Sequence, residues 1–223
     1  MYKIEIYETL PIKFREPVNL LIHDSWSAES KLREDVQMIV HRGAGIIDDL
    51  DPFSTHVLIL DQLSKPCAYG RVSIARTKDQ LQSHFNELYH HLSRLVGEDE
   101  LSRLVGEDEL SPVGSEINLP IAYFNRLVVH PEHRRKGLSC LIHSARINIS
   151  IMNSVTAIYS WAVGEIPARH LSSHGFVSIS QSRGFETKWY KTTRMTHLVK
   201  LDNKTDSNFL KTKMSTSNLS FNA

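Results

Sequence analysis

Apolar and polar residues alternate over 2–7, YKIEIY, the period of a strand with one buried face. From about Phe14 to Trp26 the spacing of Val18, Leu21 and Ile22 instead fits one face of a helix, and a second helical stretch is expected from Ala28 to His41. Two runs rich in Val and Ile, 54–62 and 66–76, flank the polar segment LSKP and predict a hairpin. A strand over Ile121–Val129 leads through His130-Pro131 into an apolar-periodic helix from Leu138 to about Met152. A strand over 156–163 follows, then a short helix near Pro167–His174 and closing strands at Val177–Ser180 and Thr196–Leu201. Helices and strands surround a central strand–helix–strand unit, which is a mixed α/β plan.

Two stretches break this rhythm. Residues 202–223 are rich in Ser, Thr, Asn and Lys with almost no apolar periodicity, and are expected to be a disordered tail after a domain spanning 1–201. Residues 77–119 are expected to be a surface insertion, because LSRLVGEDE at 92–100 recurs identically at 101–109. A nine-residue repeat advances a helix by two and a half turns and a strand by an odd step, so the two copies present opposite faces. They cannot serve one core. Two copies are also too few for a solenoid, and nothing fixes the GEDE carboxylates in a metal-binding geometry.

Composition narrows the class. With 223 residues, 41% hydrophobic and 23% charged, the chain is large enough to bury a core without disulfide or metal staples. A formal charge of +1 argues against a dedicated nucleic-acid binder. Cys67 and Cys140 form neither a disulfide framework nor a CxxC pair. No apolar run approaches the ~20 residues of a spanning helix. The first ten residues lack a signal-peptide pattern, so a cytoplasmic protein without membrane contact is expected.

The chemistry concentrates in Ala122–Met152, AYFNRLVVHPEHRRKGLSCLIHSARINISIM. A strand ends at Val129, and a short basic turn opens a helix at Leu138. Gly137 permits a tight turn and close backbone approach to a ligand. Amides at the helix start, with the positive end of its dipole, form a seat for phosphate oxygens, and Arg134, Arg135 and Lys136 add charge for a diphosphate. The alternative is a basic helix start on a solvated face.

This segment resembles the acyl-CoA-binding motif of the GNAT superfamily of N-acetyltransferases, Q/R-x-x-G-x-G/A after an apolar strand and a His-Pro-like turn. Arg134-Arg135-Lys136-Gly137-Leu138-Ser139 matches the Arg and the first Gly, with Ser as the last small residue. Ala168–Phe176 resembles the family's helix that ends in Gly-Phe before the next strand. The resemblance covers roughly residues 10–200. It implies a mixed, mostly antiparallel sheet flanked by helices and splayed at the cofactor site. It also implies acetyl-CoA or another acyl-CoA as co-substrate; no metal is expected. Leu127, Val128 and Val129 would run beside the pantetheine, and residues 134–139 would hold the diphosphate. The strands carrying Val129 and Trp161 would part to admit the cofactor arm. A small-molecule or peptide amine would attack the thioester directly.

The family's catalytic groups are matched less well. Its glutamate, one or three positions before the strand arginine, corresponds to Asn125 and Tyr123, and its tyrosine acid corresponds to Leu171. Glu165 and His170 lie in the right neighbourhood, though each is commonly a surface group. A weaker similarity to acyl-homoserine-lactone synthases rests on Asp48-Asp-Leu-Asp51 before strand 54–62, with Arg71 and Arg126 on central strands. It implies an acceptor pocket lined by Asp48, Asp51, Arg71 and Arg126, and acyl-carrier protein as a possible donor. Turn capping and internal pairing would explain the same acids. Without the family's glutamate and tyrosine, a catalytically degenerate domain binding CoA or a partner is a further reading. Among the twelve histidines, adjacent His90 and His91 cannot share a helix face, and loop solvation accounts for His130 and His133.

Overall fold

A computed structural model describes residues 2–30, 51–84, 119–163, 165–183, 194–200 and 219–221. The expected helix beyond residue 30, Asp48, the 92–109 duplication and most of the tail lie outside the described residues. The strands are β1 (Lys3–Tyr7), β2 (Ser54–Leu60), β3 (Pro66–Ala75), β4 (Ile121–Val129), β5 (Ala157–Val163), β6 (Val177–Arg183), β7 (Arg194–Lys200) and β8 (Leu219–Phe221). The helices are α1 (Ile12–Ser30), α2 (Leu138–Met152) and α3 (Glu165–Ser172); residues 78–84, at the start of the expected surface insertion, are helical too, with Leu81 and His84 buried. One sheet runs in the order β6-β7-β5-β4-β3-β2-β1-β8, antiparallel except for the β4–β5 and β1–β8 pairs.

Alternation along β2 builds two cores. Val57 and Ile59 face α2 and its Leu138, Ile142, Ala145 and Ile149, whereas Leu58 and Leu60 face α1. The buried positions of α1 are Phe14, Val18, Leu21, Ile22 and Ser25, a stripe at helical spacing. The helical backbone runs past Trp26 without a break, so the two helices expected to meet near residue 27 are one helix as far as Ser30. Between β2 and β3 the expected turn forms around Asp61, whose Oδ1 accepts from the amides of Leu63 and Lys65 at 2.8 and 2.9 Å.

The tail is not wholly irregular. Leu219–Phe221 pairs with Ile4–Ile6 of β1, using backbone groups that would otherwise form an open sheet edge. The low apolar periodicity of the tail as a whole hides a three-residue strand. No helix among the described residues is long and apolar enough to cross a membrane.

Candidate functional site

The centre of β4 is where the sheet opens. Its parallel ladder with β5 covers Ile121–Phe124 against Ala157–Ser160 and stops there. Beyond it, Arg126 has φ 53, and the register with β3 shifts between Tyr69 and Arg71, which marks a β-bulge. The bulge reverses which face each residue serves. Ala122 and Phe124 pack toward α2, yet Val128, of the same parity, packs toward α1, while Leu127 and Val129 take over the α2 side. Asn125, Val128 and Val129 are thus paired with β3, with Arg126 and Leu127 in the bulge, and β4 is released from β5 beyond Phe124.

The strand leads into the expected basic turn. His130 caps a 3₁₀ turn, Pro131–His133, and Gly137 caps α2 at φ 76, a conformation glycine adopts without penalty. The first helical bond runs from the Leu141 amide to the Gly137 carbonyl, so the amides of Leu138, Ser139 and Cys140 precede the ladder. Arg135 and Lys136 are exposed beside them. Together these groups make a seat for an anion. Arg134 is engaged differently from the other two: its guanidinium donates to the carbonyls of Val129 (3.3 Å) and Ser25 (3.2 Å), tying the turn to α1. Leu138 contributes only its backbone, because its side chain is in the core.

Beneath the bulge lies a polar network that sequence reasoning found only in part. Arg71 is fully buried and donates to Asp51 Oδ1 and to Asn125 Oδ1, each at 2.8 Å. Asp51 also lies 3.9 Å from His56 Nε2, and His56 Nδ1 meets the Tyr69 hydroxyl at 2.9 Å. Arg146, also fully buried, donates to the carbonyls of Arg71 and Asn125 and to His143 Nδ1, with its guanidinium 4.4 Å over the Phe124 ring. Among the described residues no carboxylate pairs with it, and burial pushes its guanidinium down to about 9. Arg146 sits within an apolar helical pattern, so its sequence gave no sign of a site. Asn125 Nδ2 is buried at the bulge with no hydrogen-bond partner among the described residues.

The other expected residues fall as follows. Tyr123 is buried on β4 with its ring 5.6 Å from that of His84. Leu171, standing where the resemblance places a tyrosine, is core. Glu165 opens α3, and its side chain, like that of Trp161, lies outside what is described. His170 contacts His143 and His174 rather than β4, and burial lowers its pKa, with the Arg146 charge adding to the effect. Asp51 and Arg71 are brought together as an ion pair, while Arg126 occupies the bulge itself.

No protein-family model matches the chain, and no curated protein matches it in sequence. Solved structures do match. Arylalkylamine N-acetyltransferase 2 of Aedes aegypti superposes with a TM-score of 0.58 at 13% identity, over 89% of this chain and 98% of that one. The CoA-dependent acyl-homoserine lactone synthase BjaI, bound to SAM and isopentyl-CoA, gives 0.57 at 12%, over 100% of this chain and 94% of that one. The PaiA N-acetyltransferase of Thermoplasma acidophilum, in complex with coenzyme A, gives 0.54 at 10%, over 90% and 99%. Splayed central strand, bulge and helix-capping turn accordingly belong to a chain with the GNAT fold, shared by N-acetyltransferases and by an acyl-homoserine lactone synthase.

Proposed function

We propose that the protein transfers an acyl group, most simply acetyl, from acyl-CoA to the amine of a small molecule or peptide. The observation that carries this reading is the opening of β4 from β5 after Phe124, continuous with the turn at Gly137. A thioester arm lying along Leu127–Val129 would find backbone groups without a β5 partner, and its diphosphate would meet the amides of Leu138, Ser139 and Cys140 with Arg135 and Lys136 beside them. Holding both reactants in line, with an N–H aimed at the developing oxyanion, supplies most of the acceleration such a transfer needs. The similarity to a CoA-bound acetyltransferase and to a CoA-dependent synthase supports CoA as the donor over a carrier protein.

The acceptor approaches the bulge from the α1 side. There Asp51, held by Arg71, offers a carboxylate with its side chain 17% exposed, Asn125 Nδ2 is a donor, and Arg126 stands next along β4. An amide cannot take a proton, so Asn125 is a positioning group. Calorimetric titration with CoA, followed by measurement of CoA release with a panel of amines, tests the proposal. Absence of CoA binding would defeat it; binding without release for any amine would favour the degenerate domain.

A further inference from the structure

A second constellation lies between α2 and α3. Cys140 and His143 stand three residues apart on one face of α2, while His170 lies on α3 and His174 in the turn that closes it. The helices bring the pairs together. The His143 ring centroid is 4.9 Å from that of His170 and 5.1 Å from that of His174, and the latter two are 5.3 Å apart. One ligand atom from each of Cys140, His170 and His174 lies within 4.8 Å of the others. His174 is buried, Cys140 and His170 are half-buried, and the Nε2 of His170 is a buried nitrogen with no hydrogen-bond partner among the described residues.

The local backbone holds this geometry. Phe176 N–H bonds the Leu171 carbonyl and Gly175 N–H bonds that of Ser172, with Gly175 at φ 84. That is a Schellman closure, and it fixes His174 at the helix end. On the other side Arg146 donates to His143 Nδ1 at 2.8 Å. A neutral imidazole that accepts at Nδ1 carries its proton on Nε2, so His143 is a donor and stays out of any coordination shell.

We propose that Cys140, His170 and His174 bind a borderline-soft divalent transition ion of the zinc class. One sulfur and two imidazole nitrogens select such an ion over magnesium or calcium. Three protein ligands leave the fourth tetrahedral position for water or an exogenous ligand. Zinc–nitrogen and zinc–sulfur bonds place ligand atoms roughly 3.5 Å apart, so small side-chain rotations close the shell. Binding releases the Cys140 thiol proton to solvent, and the thiolate offsets part of the ion's charge. The expectation of no metal came from reading histidines along the chain, where a whole strand separates the two pairs. The site does not depend on the acyltransferase reading, although Cys140 lends its amide to the anion seat.

The test uses the full chain, stripped with chelator and titrated with Co²⁺ in the absence of CoA. The expected result is one ion per chain, visible bands of tetrahedral cobalt, a thiolate charge-transfer band, and displacement by Zn²⁺. Cys140→Ser should abolish the charge-transfer band, and His170→Gln should weaken binding by more than about ten-fold. Both positions are half-buried, and circular dichroism verifies that the variants fold. A His130→Gln/His133→Gln variant, which removes the histidines of the phosphate turn, should bind cobalt as the unaltered protein does. The proposal is overturned if the intact chain binds no stoichiometric cobalt, if Cys140→Ser and His170→Gln leave binding unchanged, or if the His130/His133 variant alone loses it.

Discussion

Gly137 adopts φ 76, and a Cβ built there would meet nothing within 4 Å. Its constraint is therefore in the backbone. Gly137→Val should reshape the turn and weaken CoA binding by more than about ten-fold, since β-branched residues avoid this region, whereas Gly137→Asn should be far milder. Calorimetry on both variants checks this, and equal affinity for CoA would remove the turn from the site. Asp51 poses a different question. Its partner Arg71 is fully buried, so Asp51→Asn leaves a guanidinium without its carboxylate. The expected cost is about 3 kcal/mol, read as an earlier thermal midpoint, and Arg71→Gln in the same chain should add less than its separate effect. If Asp51→Asn keeps its midpoint and raises only the acceptor KM, its main role is in the pocket. Glu5 supplies a pH dependence. Burial pushes its carboxyl up, but hydrogen bonds from Lys3 and Tyr7 and the charges of Lys3 and Lys13 outweigh this and lower it below the ordinary carboxylate range. A depressed folded pKa gives stability that is complete above the unfolded value and is lost as pH falls through the folded one. Melts between about pH 6 and about pH 3 should show a shallower acid decline for Glu5→Gln than for the unaltered protein.

At the scale of elements, the contact of α2 with the sheet is set by Gly70 on β3. A Cβ there would collide with Ile142 Cγ2, and Ile142 is fully buried. Gly70→Ala should cost roughly 1–3 kcal/mol through overpacking, measured by denaturant or thermal unfolding. An unchanged midpoint would mean that α2 can shift without loss. The elements themselves were largely legible: β1, the β2–β3 hairpin, β4 and α2 follow from periodicity, because their buried faces repeat at 2 or 3.6 residues. The bulge was not legible. Leu127, Val128 and Val129 are all apolar, so no alternation reveals where β4 exchanges its faces, and Arg126 reads as an ordinary strand residue. Helix α3 was placed near 167–174 but spans Glu165–Ser172, because Pro167 lies within its first turn, where proline is tolerated.

For the whole molecule, the 92–109 duplication is the cheapest test of what belongs to the core. Deleting residues 101–109 should move the thermal midpoint little, since two copies out of phase cannot share one buried face; a loss above about 2 kcal/mol would show that the segment packs inside. The sequence by itself determined a mixed α/β plan, a basic turn opening a helix after an apolar strand, and through them a resemblance whose fold the solved structures share. Each of these is written in short-range order, in periodicity or in a motif of a few residues. Tertiary structure alone decided that Asp51 meets Arg71, that buried Arg146 holds the carbonyls at the bulge, and that Cys140 and His170 face each other between two helices. Those partners lie tens of residues apart. Sheet order and helix docking choose among many such pairs, and a side chain's local spacing carries no information about which one closure of the fold will bring to it.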